Sequence, residues 1–304
     1  AAIYDLFARN GFRFTRIAAL AFIWSFFEVI GIFALFLLWI GGGFGLLFRH
    51  RIFLDIHYEM LGIWMGIAVW TMQRILGLRI EAEVEFERRP GRMLLFARHA
   101  GPADSLLLVN GLLRRGYQPR IVAKAALQWD PFIDVAANRV PFHFVEHNPT
   151  DRDAQLKAIA RVAGGMDAAG ALLLFPEGGN FTEGRRSKAI SSLERKGLDA
   201  YAEAAKGMPN VLPPRPNGAL TALAAAPDAN VVFLGHTGLE DIQGPFQAIE
   251  AVPFQNEVWV RTWLAPTEEI PPPEDREAQI EWLFRWWAEV DAWIGTHRGE
   301  PPEA

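Results

Sequence analysis

Residues 17–40 read IAALAFIWSFFEVIGIFALFLLWI, an apolar run interrupted only by Ser25 and Glu28. A helix needs about 20 such residues to cross a bilayer, so this run belongs at least partly in a membrane. It is longer than the core of a signal peptide and has no small-x-small cleavage site, which argues against a removed secretion signal. Glu28 is out of place in lipid; it predicts a neighbouring helix, a protonated carboxyl or a tilted, partly interfacial segment. Arg9, Arg13 and Arg16 precede the run while Arg49 and Arg51 follow it, so positive charge does not orient it.

A second hydrophobic stretch, Ile52 to Leu78, has the compact middle MLGIWMGIAVWTM, too short to span by itself. With Trp64 and Trp70 as amphipathic anchors, it predicts a helix lying at the interface or packed back on the first, across a Gly41-Gly42-Gly43 hinge. The expectation is therefore a two-helix membrane hairpin over residues 1–78. The alternative is that both are buried helices of a soluble protein. The three glycines lack the G-x-G-x-x-G spacing and do not follow a soluble strand, which excludes a phosphate loop.

Beyond Gly77 the pattern changes. RIEAEVEF alternates as a half-exposed strand does, RRPG makes a turn, and MLLFAR is a buried strand. RIVAK, ALLLF, VVFLG and VWVRTWL read as further strands. Helices are expected over Leu106 to Leu113, Asp151 to Met166, Ser187 to Lys206 and Glu274 to Ile294. Alternating strands and helices predict an α/β domain over residues 79–304, a mixed sheet flanked by helices, with ligands bound outside the strand ends. The absence of cysteine excludes disulfides, thiolate metal sites and a cysteine nucleophile. A net charge of −5 argues against nucleic acid as a partner, while local basic clusters can still hold a small anion.

Three His-x4-Asp pairs occur: His50 with Asp55, His99 with Asp104, and His236 with Asp241. On a continuous helix residues five apart point about 140° from one another, which sets His50 and Asp55 aside. His236 follows VVFLG in an expected loop, with no helix and no convergent polar groups near it in sequence, and stays an outside candidate. His99 ends a buried strand, a loop with Gly101 and Pro102 follows, and Asp104 stands at a helix N-cap position. The pair suits a general base: the carboxylate fixes the imidazole tautomer and stabilises the cation formed when the other ring nitrogen takes a proton. A strand-end histidine with a capping aspartate is the structural alternative. No G-x-S-x-G elbow is present.

Taken with FPEGGNFTEGRR (Phe175 to Arg186) and VLPPRPNGAL (Val211 to Leu220), RHAGPAD resembles the glycerolipid acyltransferase family that includes 1-acylglycerol-3-phosphate acyltransferases, and most of all its lysocardiolipin-acyltransferase-like branch. The resemblance covers roughly residues 80–294, its motifs come in the family order, and it implies a glycerol-3-phosphate acyltransferase-like fold. It implies that His99, oriented by Asp104, deprotonates the free hydroxyl of a lysophospholipid. That hydroxyl then attacks the thioester of an acyl-CoA, with no covalent acyl-enzyme. Lys124 matches the lysine associated with the oxyanion, and Glu177 and Gly178 match the motif that shapes the acceptor site. Gly179 stands where threonine is usual and Asn180 where many relatives carry a phosphate-binding arginine. Arg185, Arg186 and Arg215 then become the phosphate candidates, against a reading of Arg185 and Arg186 as a solvated helix start. His147 replaces an arginine common after a Phe-Ile-Glu-like run.

The implied function is acyl transfer to 1-acylglycerol-3-phosphate, giving phosphatidic acid, at the cytoplasmic face of a plasma or bacterial inner membrane. Acyl-CoA is then a co-substrate and no cofactor or metal is expected; the partners are acyl-CoA, the lysophospholipid and the bilayer. The alternatives are another lysophospholipid head group, a non-catalytic lipid-binding protein and a lipid hydrolase.

Overall fold

The computed structural model describes residues 11–83, 87–101, 103–124, 130–145, 152–240, 242 and 244–298. Two long helices come first, α1 (Arg13–Gly41) and α2 (Arg51–Arg74). They precede β1 (Arg79–Ala82), β2 (Met93–Ala97), α3 (Asp104–Arg114), β3 (Gln118–Lys124), α4 (Pro131–Ala137) and β4 (His143–Val145). Next are α5 (Arg152–Gly164), β5 (Gly170–Leu174), α6 (Glu183–Glu194), α7 (Asp199–Lys206), α8 (Pro216–Ala225) and β6 (Asn230–Thr237). The chain closes with α9 (Pro245–Glu250), β7 (Glu257–Ala265) and α10 (Arg276–His297).

The strands form one seven-stranded sheet in the order β1-β7-β6-β2-β5-β3-β4. From β6 to β4 neighbours are parallel; β7 runs antiparallel to β6, and β1 pairs parallel with β7. This is the expected mixed sheet with helices on its faces. Strands covered on both sides read as unbroken apolar runs, as β2 does, because successive side chains turn to opposite faces. Leu94 and Phe96 enter one core with Leu172, Phe233 and the α10 tryptophans Trp282, Trp287 and Trp293. Met93, Leu95 and Ala97 enter the other, with Leu61, Trp64, Met65 and Ala68 of α2, Leu108 and Leu112 of α3, and Phe132 of α4.

The second core explains α2. Its buried positions 61, 64, 65 and 68 follow helical spacing, so one stripe covers the sheet. The division expected at residue 78 therefore runs through a shared core. Helix α1 touches the rest along a second stripe. Trp24 packs edge-on against Trp64 with centroids 4.6 Å apart, and the Glu28 carboxylate accepts the Phe132 N–H at 2.5 Å. Gly31 leaves room for the Phe132 ring, which a side-chain carbon there would meet at 2.6 Å. Leu35 is buried, and its carbonyl accepts from Arg139 at 2.9 Å. Glu28 thus faces neighbouring helices, one of the readings open for it. By length and composition α1 and α2 could each cross a membrane, and most of α1 is uncovered.

Three local expectations are corrected. The long helix over Ser187 to Lys206 is two, α6 and α7, because Gly197 takes a left-handed turn at φ +69° between them. His236 lies within β6 rather than in a loop after it. Ala103, not Asp104, occupies the N-cap of α3, so Asp104 is the first helical residue and its carboxylate is not the cap. Of the strand expected in RIEAEVEF, residues 79–82 form β1, and residues 84–86 lie outside the described portion.

Candidate active site

The C-terminal ends of β2, β5 and β6 lie side by side, where an open α/β sheet places its ligands. Arg98 prolongs β2 by one bond, its N–H donating to Leu234 O at 2.9 Å. Its guanidinium is fully buried and donates to His236 O at 2.7 Å, to Asn210 O at 2.8 Å and to the Glu240 carboxylate. A buried charge needs such pairing, and here it ties the ends of β2 and β6 to the loop before α8. Burial alone would raise the Glu240 carboxyl. The Arg98 charge and hydrogen bond, then Thr237 and the residue's own backbone, outweigh it and bring Glu240 down to about 2.

His99 follows. Its N–H donates to Glu177 Oε2 at 3.2 Å, its carbonyl accepts from Phe181 N–H at 2.7 Å, and its ring stacks on Phe175 at 4.2 Å between centroids. Nδ1 lies 3.1 Å from Asp104 Oδ2, which also accepts the Gly101 N–H at 2.8 Å. A carboxylate only accepts, so Nδ1 carries the proton and Nε2 is left basic, with no hydrogen-bond partner among the described residues. Asp104 is 1% exposed. Burial would raise its carboxyl, but the charge and hydrogen bond of His236, then the bonds from His99 and Gly101, hold it well below the usual carboxylate range. The arrangement can take a proton at Nε2 and stabilise the resulting imidazolium.

Glu177 closes the floor beneath His99. Complete burial pushes its carboxyl up to about 8, against the Arg98 charge and the N–H groups of His99 and Leu212. Because the folded state then binds the proton more tightly than the unfolded chain, Glu177 contributes most stability below about pH 4.5. That contribution is lost as pH rises towards 8. In Glu177→Gln this decline, at most about 1.4 kcal/mol per pH unit, is expected to vanish while the fold stays intact. Thermal melts of both proteins at pH 5 and pH 8 check it; an unchanged pH dependence in the variant would refute the assignment.

Gly178 has φ +71°, a region glycine enters freely, and a side chain there would fall 3.1 Å from the Arg215 guanidinium. The Arg215 N–H donates to Pro176 O at 2.8 Å, fastening the start of α8 to the FPEG loop. Arg185 reaches the same loop, donating to Asn180 O at 2.9 Å and lying beside Gly179. Arg215 and Arg185 are exposed. Arg186 is engaged elsewhere: it donates to the carbonyls of Ala205, Lys206 and Met208 at the end of α7, a helix-capping role. Lys124 ends β3; its side chain, His147 and Asp241 lie outside the described residues.

The histidines set aside from spacing part ways. His50 caps α2 without a side-chain bond, while Asp55 accepts from Gln118 at 2.7 Å. His236 instead lies 3.4 Å from Asp104, the aspartate of a different pair. Arg98, Asn210 and Glu240 escaped sequence reasoning, although an arginine closing a wholly apolar strand was a signal.

A family model described as Acyltransferase matches residues 79–213. Lysocardiolipin acyltransferase 1 from Danio rerio is 27% identical over 145 residues, which is 47% of this chain and 37% of that protein. The chain thus spans little more than a third of that relative's length. The crystal structure of the 1-acyl-sn-glycerophosphate (LPA) acyltransferase PlsC from Thermotoga maritima has the same fold. It matches with a TM-score of 0.56 and 12% identity, covering 96% of this chain and 99% of that one. Residues 79–213 thus match an Acyltransferase model, and the chain is similar in sequence and in fold to glycerolipid acyltransferases.

Proposed function

We propose that the protein moves a fatty acyl group from acyl-CoA to the free hydroxyl of 1-acylglycerol-3-phosphate, giving phosphatidic acid. The observation that carries this is the 3.1 Å contact of His99 Nδ1 with Asp104, which leaves Nε2 to act on a substrate. Nε2 takes the hydroxyl proton as the oxygen attacks the thioester carbonyl; the C–S bond then breaks and the proton passes from His99 to the departing CoA thiolate. Lys124 and nearby backbone N–H groups are the oxyanion donors in this reading, on the family resemblance. Arg185 and Arg215, both exposed beside Gly178 and Gly179, hold the acceptor phosphate as forked donors, and Arg186 supports α7. A lysophospholipid with a larger head group is the second reading, favoured by the relative named for lysocardiolipin. The test is CoA release from acyl-CoA by the purified protein with and without each lysophospholipid. Acceptor-dependent release with formation of the acylated lipid supports the proposal; release indifferent to the acceptor makes the protein a thioesterase.

Helix α1 serves this reaction as the membrane contact. Its protein-facing stripe is continuous: Arg13 donates to Val252 O at 2.8 Å and Arg16 to Ile75 O at 2.5 Å, and the contacts run on to Leu35. The domain therefore accompanies the helix for about 33 Å, and a spanning helix would drag polar elements through the bilayer. Phe22, Phe26, Val29, Phe33, Phe36 and Ile40 line the uncovered side. Helix α1 accordingly lies along one leaflet, with the domain on the cytoplasmic side, and acyl chains need not leave the lipid at about 0.8 kcal/mol per methylene. Because the chain has no cysteine, single cysteines placed at 22, 29, 33 and 40 can each carry a fluorophore. Lipid-borne quenchers should report one common depth; a graded depth along the helix means that it spans.

A further inference from the structure

We infer that His236 is a positioning residue of the His99 site, donating to the same Asp104 oxygen that orients His99, so that one carboxylate oxygen serves two imidazoles and the Gly101 N–H. The inference rests on the reading of His99 as the general base. His236 is 3% exposed and comes from β6, far along the chain from His99. Its Nε2 faces two acceptors, Arg98 O at 3.1 Å and Asp104 Oδ2 at 3.4 Å. Neither a carbonyl nor a carboxylate can donate, so Nε2 bears the proton. Nδ1 is buried and has no hydrogen-bond partner among the described residues. A second proton there would bury an unpaired N–H, so the imidazole serves as a fixed donor through Nε2.

The consequence falls on His99. Asp104 Oδ1 is also buried without a partner among the described residues, so Oδ2 is the oxygen that takes the His99 and Gly101 N–H groups and faces His236 Nε2 at 3.4 Å. Each donor draws on the same negative charge. With His236 in place, less of that charge stabilises the His99 imidazolium; without it, His99 becomes more basic and is protonated, hence inactive as a base, up to higher pH. The sign is the same if His236 carries a charge, since removing a cation also raises a neighbouring imidazole. The other ionisable groups around the site stay in place when residue 236 changes. Glu177 lies beneath the His99 N–H, Arg98 is paired with Glu240, Asp291 accepts from Asn210 N–H, and Arg215 lies on Gly178.

The experiment follows the full chain in detergent micelles with ¹⁵N-labelled histidine, His99 being assigned by its loss in His99→Ala. In His236→Phe, which keeps a ring but no donor, the His99 titration should move up by on the order of one pH unit. In His236→Gln, whose amide N–H₂ reaches towards the same oxygen, it should stay near the wild-type position. The acid limb of kcat/KM for acyl transfer should move in parallel, lowering the rate about tenfold at pH 6 and little at pH 8.5 in His236→Phe. A purely structural histidine would lower stability without moving the titration. The proposal is overturned if folded His236→Phe titrates like wild type, or if the Phe and Gln variants behave alike. Should His236→Phe fail to fold, the wild-type spectrum decides: His236 must be the Nε2–H tautomer from pH 5.5 to 8.5, and an Nδ1–H tautomer overturns the idea. Absence of any acyl transfer would count against the proposed reaction, while the His99 titration would still judge this inference.

Discussion

Acceptor-dependent release of CoA is expected to fall to background in His99→Ala, and by about a hundredfold to a thousandfold in Asp104→Asn, with the fold of both unchanged by circular dichroism. The two losses differ in kind. Alanine removes the imidazole whose Nδ1 is held by Asp104 and whose Nε2 has no hydrogen-bond partner among the described residues. Asparagine can leave an oxygen where Gly101, His99 and His236 converge, and its amide nitrogen then takes the place of Oδ1, which has no partner among the described residues. The tautomer of His99 then survives, and what disappears is the charge that stabilises the imidazolium. If His99→Ala turned over normally while His236→Ala did not, the base would have been assigned to the wrong histidine.

Arg98→Met is expected to destabilise the protein by about 3–5 kcal/mol, because it strips a buried carboxylate of its cation. Glu240 would keep the Gly238 N–H, at 2.7 Å, but would lose the charge that brings its carboxyl to about 2. In the wild type, the Glu240 contribution is present above about pH 4.5 and is lost as pH falls towards 2. The variant should reverse this trend and recover stability on acidification, as Glu240 takes up a proton. Adding Glu240→Gln should restore part of the loss at neutral pH. Melting curves at pH 5 and 7.5 measure both effects, and an Arg98→Met protein melting within a degree of wild type at pH 7.5 would contradict the bracing role.

The parts of this molecule that were legible in its sequence are those where local pattern and environment coincide. MLLFA and GALLL are apolar throughout because they become β2 and β5, covered on both faces. The short loop between His99 and Asp104 brings their side chains together, and spacing was informative there. At His236 spacing misled, because the aspartate it meets is Asp104, reached through the pairing of β6 with β2. Helix α1 was opaque for another reason. Its protein-facing and uncovered stripes are both apolar, so no periodicity separates Trp24, Gly31 and Leu35 from Phe22, Val29 and Phe33. Arg185 and Arg186 are adjacent in sequence, yet the step of about 100° between successive helical residues sends one to the FPEG loop and the other to the end of α7.

The notch at Gly31 and the carboxylate at Glu28 make α1 unsuitable for exchange. An unrelated hydrophobic helix of equal length would carry the same apolar content, yet it would press a side chain into the Phe132 ring and leave the first turn of α4 without its acceptor. Docking of the domain and the uncovered apolar stripe thus share one helix but rest on different residues. The uncovered phenylalanines can therefore be exchanged without disturbing that docking, whereas Glu28 and Gly31 cannot.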